Sequence, residues 1–328
     1  MSTDKVAGGG WLRSQAARLR PKPAVPGRAG PRVRVAVVTD SASALPHDWV
    51  ELHGGGGRLT VVPMPVIIGA NVFSDDDSEL EAAMSLALAS GTAVSTSRPS
   101  PGQFDKAYQG AVDAGFDAVL SIHISGKLSG TLDAAQLAAD RSGIPVMVLD
   151  SATVGLAQGV GVQAAVAAAA AGAAVDQVMA AAQEAIATAA VYFYVPSLEQ
   201  LRRGGRISLA SSWVGTVLDI KPLLGIRDGA VVPLEKVRSA GKAVARLERL
   251  TLDDLAARAP GTARVGLHHF GNEDQARALG ESLQAERPGL AAPVLTRLPA
   301  VLAAHAGLGA LVVVVSGEMG PPQVQPGS

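Results

Sequence analysis

The chain has 328 residues with 28 Lys and Arg, 29 Asp and Glu and no Cys, so its net charge is −1 at pH 7. A dedicated nucleic-acid-binding protein needs a basic excess to displace counterions, so this balance argues against nucleic acid as a partner. The absence of Cys excludes disulfides, thiolate metal ligands and a cysteine nucleophile, and it agrees with the cytoplasmic location that we predict. The length predicts roughly two domains, and the 48% hydrophobic content is enough for a buried core.

The charge is distributed unevenly along the chain. Residues 1–32 carry seven basic side chains against Asp4 alone, a net of +6, which leaves −7 for the rest. This segment is rich in Gly, Pro and Arg and lacks the apolar stretch of a signal peptide, so we predict a flexible basic arm. Residues 319–328, rich in Pro and Gly, are predicted to form a frayed tail.

Three apolar, β-branched runs indicate strands buried on both faces, at residues 33–38, 118–124 and 145–149. Helical patterns lie between them, at residues 78–90, 102–114 and 131–142. Ser78 and Glu81 have the spacing of a capping box at the start of the first helix. The alternation predicts a doubly wound, mostly parallel α/β sheet as an N-terminal domain over residues 33–172.

Further patterns place a small β insert and a second α/β domain. Residues 59–73 contain two prolines and a Gly69-Ala70-Asn71 turn, which predicts the insert. The uncharged, Ala-rich stretch 151–175 is interrupted by glycines and glutamines, which favours a buried helix over a membrane span, and no integral membrane association is predicted. The second domain, residues 173–318, is predicted from its strands at 191–195, 264–268 and 310–315 and its helices at 175–190, 243–258 and 272–286.

Open α/β sheets bind ligands at the carboxyl ends of their strands, and Ser129 lies in such a place. The loop 125–131 (SGKLSGT) joins a strand to a helix, so free N–H groups and the helix dipole favour a carboxylate or a phosphate. An equal alternative is a helix N-cap formed by Ser129 or Thr131. Lys127 is followed by Leu128 rather than by Ser or Thr, so the loop is not a Walker A motif and a nucleotide-binding function is disfavoured.

A serine hydrolase is the rival hypothesis from another functional class. It would use Ser129 and His305 with Asp40 or Asp150 as a triad, although each Asp precedes a Ser and is also suited to loop hydrogen bonds. His305 is expected in a Gly-rich loop before the last strand. His268 and His269 alternate along a strand, so at most one of them points into a site. The His spacing shows no metal motif, and we predict no metal or cofactor.

Several segments, in order, resemble the DegV family. They are Thr39-Asp40-Ser41, residues 95–102, residues 122–131, Asp150-Ser151, residues 201–207, Lys221-Pro222, residues 235–238 and the segment around His305, together covering residues 33–316. The resemblance implies a bacterial two-domain α/β protein that binds one long-chain fatty acid as its ligand. It also implies a non-catalytic role, in which the acyl carboxylate is presented to a separate fatty-acid kinase for phosphorylation. We expect a monomer.

By the same resemblance, the carboxylate is held by Thr96 or Ser97, by Ser129 with the backbone at Gly130, and by His305. Arg238 would contact the kinase, and Arg206 would be a structural or rim residue. Three segments depart from the family pattern. Arg98 replaces a Gln, residues 306–309 read AGLG instead of TGPG, and residues 239–241 (SAG) replace a basic run.

Overall fold

The computed structural model describes residues 33–74, 77–207 and 221–317. The predicted basic arm and frayed tail lie outside these residues. The strands are β1 (Val35–Asp40), β2 (Leu59–Val62), β3 (Val66–Ile68), β4 (Asn71–Phe73), β5 (Val94–Thr96), β6 (Ala118–His123), β7 (Val146–Asp150), β8 (Ala190–Tyr194), β9 (Lys221–Arg227), β10 (Ala230–Val237), β11 (Arg264–His269), β12 (Val294–Arg297) and β13 (Leu311–Ser316).

The helices connect these strands and cover the sheets. They are α1 (His47–His53), α2 (Leu80–Ser90), α3 (Pro101–Asp113), α4 (Thr131–Ala139), α5 (Leu156–Ala170), α6 (Val175–Ala187), α7 (Glu199–Arg203), α8 (Ala240–Ala257), α9 (Glu273–Glu286) and α10 (Ala300–Ala306). A 3-10 turn, Ser41–Ser43, directly follows β1, and Asp40 caps it by accepting from the Ala42 N–H at 3.1 Å.

The first sheet, sheet A, is parallel throughout and has the strand order β2-β1-β6-β7. Alternate side chains of β1 enter two different cores, as expected for a strand covered on both faces. Val35 and Val37 pack with α5 and α6, whereas Ala36 and Val38 pack with α3 and α4. The predicted doubly wound α/β arrangement is therefore confirmed.

The Ala-rich segment forms α5, a buried helix between two sheets. Leu156 and Val160 pack in the core that covers one face of the third sheet, and Val162 and Val166 pack in a core of sheet A. Small residues let neighbouring elements approach closely. A Cβ at Gly161 would lie only 2.5 Å from Cγ1 of Ile186. In the described part of the chain, no helix combines the length and the apolar character that crossing a bilayer requires.

A small antiparallel sheet, sheet B, has the order β4-β3-β5 and includes the predicted turn at residues 69–71. One expectation differs from the structure here. Strand β2 was expected in the insert but pairs in parallel with β1, where Leu59 and Val62 are buried. Residues 94–96 form β5, because β3 supplies a partner strand.

The third sheet, sheet C, has the order β10-β9-β8-β13-β11-β12 and is antiparallel except between β11 and β12. Its outer face packs against α8 and α9, and its inner face, which includes Phe193 and Val312, packs against α5 and α10. Strands β9 and β10 are joined by Asp228 and Gly229, both at positive φ (49° and 77°), as a two-residue type I′ hairpin requires. The predicted second α/β region is thus present.

One predicted helix start is wrong. Helix α2 begins at Leu80 with Glu79 as its N-cap, without a side-chain cap, so Ser78 and Glu81 do not form a capping box. A capping box precedes α3 instead, where the Ser100 N–H donates to Gln103 Oε1 at 2.9 Å. The predicted domain boundary near residue 172 stays a prediction. Helix α6, which follows it, packs against sheet A.

Candidate functional site

An apolar pocket of about 80 Å³ lies between the inner face of sheet C and the loops that follow the strands of sheet A. This is the edge at which open α/β sheets bind ligands, because the chain leaves the carboxyl ends of the parallel strands there. The side chains that line the pocket are almost all aliphatic, with a few polar groups among them. Its lining consists of Met64, Thr96, Ile124, Leu128, Ser129, Val154, Gly155, Val191, Phe193, Leu201, Arg206, Ile226, Val231, His268, Leu298, Val301, Leu302, His305, Ala306 and Val312.

The polar groups at one end of the pocket come from three separate parts of the chain. Thr96 Oγ1, at the end of β5, lies 2.8 Å from Nε2 of His305 on α10. Ser129, in the loop before α4, shares a hydrogen bond of 2.7 Å with the Thr131 hydroxyl. Arg206 donates from Nε to the Leu128 carbonyl at 2.9 Å, which places a guanidinium beside the Ser129 loop. Hydroxyl, imidazole and guanidinium donors thus converge on one end of an aliphatic pocket.

Burial, and secondly the positive charge of Arg206, lower the pKa of His305 to about 4. The imidazole is therefore neutral at pH 7 and carries one N–H. His305 was expected in a Gly-rich loop, and that expectation is wrong, since it lies in the last turn of α10. The helix forms because Val301 and Ala304 are buried against the core, and it ends at Gly307, whose φ is 84°.

Gly204 makes room for His305. Gly204 has ordinary right-handed helical backbone angles, so its conformation does not require a glycine. Space does require one, because a Cβ at this position would overlap Nδ1 of the His305 ring. Gly204 therefore leaves the space in which the imidazole lies against Thr96.

Four of the residues singled out from the sequence line this pocket, namely Thr96, Ser129, His305 and Arg206. Three others do not line it. Ser97 is exposed and donates to the Arg98 carbonyl at 3.1 Å, and Arg238 is exposed after the end of β10. Gly130 lies under Arg98, whose Nη1 is 2.7 Å from where a Gly130 Cβ would be.

The structure does not assemble the serine hydrolase triad. Nε2 of His305 is paired with Thr96, not with Ser129. Asp40 pairs with His123 at 2.9 Å, and His123 in turn contacts Ser121 at 2.7 Å, all three side chains being fully buried. That Asp-His-Ser chain has the order of a triad, but no substrate reaches it.

Asp150 also has a local role rather than a catalytic one. Its carboxylate accepts from the backbone N–H of Ala152 at 2.7 Å and of Gly126 at 3.2 Å. These bonds tie the loop after β7 to the loop after β6, in agreement with the Asx-type role that the following Ser suggested. In the described residues, no group of three or more acidic or His side chains has the geometry of a metal site.

Sequence reasoning missed the polar side chain in the apolar part of the pocket, His268. Its Nε2 accepts the Leu156 N–H at 3.1 Å, and its Nδ1 lies 2.6 Å from Thr296 Oγ1. Burial, with a smaller contribution from His269, lowers the pKa of His268 to about 4. The ring is thus neutral with both nitrogens bonded, and His269 does not line the pocket, as the strand alternation predicted.

Comparisons with known proteins agree with this architecture. A family model described as "Uncharacterised protein, DegV family" matches residues 34–318. A DegV domain-containing protein of Streptomyces coelicolor is 41% identical over 282 residues, which are 86% of this chain and 98% of that protein.

Two solved structures share the fold over nearly the same length. A DegV family protein from Thermus thermophilus, solved for its fatty-acid binding, is 31% identical with a TM-score of 0.79 and covers 87% of this chain and 100% of its own. DegV of Bacillus subtilis, described as a fatty-acid-binding protein, is 29% identical with a TM-score of 0.77 and the same coverage. From the family match and the 41% identity to the Streptomyces protein, we conclude that this chain belongs to the DegV family.

Proposed function

We propose that this protein binds one long-chain fatty acid in the apolar pocket, with the carboxylate at the end formed by Thr96, Ser129 and His305. The observation that carries the proposal is the pairing of Thr96 with His305 at 2.8 Å at the polar end of an otherwise aliphatic pocket. The fatty-acid binding of the related Thermus and Bacillus proteins supports it.

The polar end suits a carboxylate because it offers several donors and no acidic side chain in the pocket lining. The Thr96–His305 pair uses one of its two polar protons in its own hydrogen bond and keeps the other for a ligand, and the Ser129 hydroxyl can donate as well. Arg206 provides a positive charge that needs no protonation step, because a guanidinium stays charged at all physiological pH values. Hydrogen bonds to a charged acceptor are stronger than those to a neutral one, so these groups favour the ionised acid.

The rest of the pocket suits an acyl chain. Its walls are Leu, Val, Ile, Phe and Ala side chains, with His268 fully bonded and neutral. Burying one methylene contributes about 0.8 kcal/mol, so an acyl chain alone supplies several kcal/mol without aromatic stacking. The low aromatic content of the chain, 3%, is consistent with such a ligand.

The protein is proposed to be a non-catalytic, monomeric and cytoplasmic subunit that presents the bound carboxylate to a kinase. Arg238, exposed beyond β10, is the proposed contact with that partner. An Arg238→Ala variant should keep its fatty-acid affinity but lose acyl-phosphate formation when ATP and a bacterial fatty-acid kinase are supplied. Arg249→Ala is the matched control, since Arg249 is equally a surface arginine, paired with Asp253 on α8. Equal loss in both variants would contradict the assignment.

Native mass spectrometry of the purified full-length protein tests fatty-acid binding directly. We expect an adduct with the mass of a long-chain fatty acid, removed by organic extraction and restored by adding the acid. His305→Ala should weaken the binding of added acid, whereas His47→Ala, which changes an exposed histidine on α1, should not. A protein that carries no lipid and is not stabilised thermally by any fatty acid would refute the proposed function.

A further inference from the structure

The apolar pocket is separated from a second cavity by a wall that includes Leu298. The second cavity is a wider cleft of about 990 Å³ with both polar and apolar side chains in its lining, formed by the turn after β1, the start of α2 and strand β12. Leu298 lines both the pocket and the cleft, and its side chain is only 3% exposed. The two spaces therefore lie on opposite sides of this residue.

Next to Leu298, a single pair of hydrogen-bonded side chains separates the pocket from the cleft. His268 lines the pocket, and its hydrogen-bond partner Thr296 lines the cleft, 2.6 Å away. Leu298 is held in place because its backbone N–H donates to the His269 carbonyl at 2.8 Å. The wall is thus a single layer of side chains on a fixed backbone.

Helix α10 runs along the pocket, from the side of Leu298 to the side of His305. Its seven residues span about 10 Å, with His305 in the last turn and Leu298 two residues before the first turn. Val301 and Leu302 line the pocket between these two ends. An acyl chain whose carboxylate lies at His305 and which follows α10 therefore runs toward Leu298.

We propose that Leu298 sets the longest acyl chain that the pocket accepts, by closing it against the cleft. This inference rests on the proposed fatty-acid binding. A tail that reaches Leu298 meets the wall, whereas removal of the side chain joins the pocket to the cleft. Longer chains then extend past this point without overlap with the wall.

The test compares the affinities of saturated fatty acids of graded length for the delipidated full-length protein and for Leu298→Ala. For the wild-type protein we expect affinity to rise about fourfold per methylene, up to an optimum length, and then to fall. For Leu298→Ala we expect the optimum to move to chains longer by about two carbons, because the substitution removes three wall carbons. Acids below the wild-type optimum should bind both proteins alike.

Two further variants separate this role from a general loss of packing. Val312→Ala also enlarges the pocket, but Val312 does not line the cleft, so the optimum length should stay unchanged. Leu298→Met keeps the volume of the wall and should keep the wild-type optimum length. If Leu298→Ala does not fold, Leu298→Val takes its place in the comparison.

The outcomes distinguish this inference from the function on which it rests. If wild-type protein binds no fatty acid of any length, the proposed function itself fails. If wild-type protein binds fatty acids and Leu298→Ala shows the same optimum length as the wild-type protein, Leu298 does not limit the chain. An equal shift in Val312→Ala would likewise overturn the assignment to Leu298.

Discussion

The lowered pKa values of the two histidines in the pocket lead us to predict that the protein loses stability in acid. The pKa of His268 and of His305 is about 4 in the folded protein, mainly because both rings are buried. In the unfolded chain each returns to about 6.5. Between these values the unfolded state binds protons that the folded state does not, so the free energy of unfolding falls as pH falls from 6.5 to 4. Above pH 6.5 this contribution to stability is complete, and below pH 4 it falls no further.

The expected decrease in the free energy of unfolding follows from the same pKa values. A difference of about 2.5 pKa units corresponds to about 3 kcal/mol for each histidine. Because domains are typically stable by only about 5–15 kcal/mol, the two together bring the protein close to unfolding at pH 4. Urea unfolding at a series of pH values between 7.5 and 4 measures this loss, provided that the slope in urea stays constant.

Histidine variants separate the contribution of these two residues to the pH dependence of stability from that of the carboxylates, because the carboxylates titrate in the wild-type protein and in the variants alike. His305→Gln and His268→Gln should each remove about 3 kcal/mol of the pH-dependent loss, whatever their effect on stability at pH 7.5. His47→Gln, in which an exposed histidine on α1 is replaced, should leave the pH dependence unchanged. If the curve of His305→Gln runs parallel to that of the wild-type protein throughout, His305 is not neutral by burial and the reasoning is refuted.

Two further predictions concern the carboxylate end of the pocket. Gly204→Ala should displace His305 and weaken fatty-acid binding by about tenfold, as measured by calorimetry, because overpacking costs about 1–3 kcal/mol. The control is Gly110→Ala, on α3, where the added methyl group enters open space and the affinity should stay unchanged. Arg98→Gln should weaken fatty-acid binding about threefold at low salt and leave the binding of the matching fatty alcohol unchanged. The guanidinium packs over Gly130, next to Ser129, and charges separated by less than a Debye length of about 8 Å are only partly screened. The exposed Arg141, paired with Asp105, provides the control Arg141→Gln, and equal effects in both arginine variants would contradict a local role for Arg98.

The sequence by itself determined most of the secondary structure and the parallel sheet. Runs such as β1 and β6 are mostly apolar without a polar-apolar alternation, a pattern typical of a strand covered on both faces, and both strands are buried at every position. The handedness and connection rules for βαβ units then predict a doubly wound sheet with a ligand edge at the strand ends. Ser129 was found in this way, because its position at a strand end can be recognised from neighbouring residues.

Other elements could not be recognised locally. The segments 94–96 and 294–297 are short and partly polar, and they become strands only because β3 and β11 supply hydrogen-bonding partners. Helix α10 is similar, since a seven-residue helix has little stability of its own and depends on burial of its apolar face. The expectation of a loop around His305 failed for this reason.

The tertiary structure alone decided how the site is assembled. Thr96 and His305 are 209 residues apart, and no local pattern indicates that their side chains meet at 2.8 Å. Asp40 was a candidate for the same site, but the fold pairs it with buried His123 instead. The hydrophobic periodicity of the sequence indicates only whether a side chain faces a core. Which residue that side chain contacts in the core depends on how elements far apart in the sequence pack together. The wall at Leu298, between the apolar pocket and the neighbouring cleft, is a property of that packing and leaves no signal in the sequence around it.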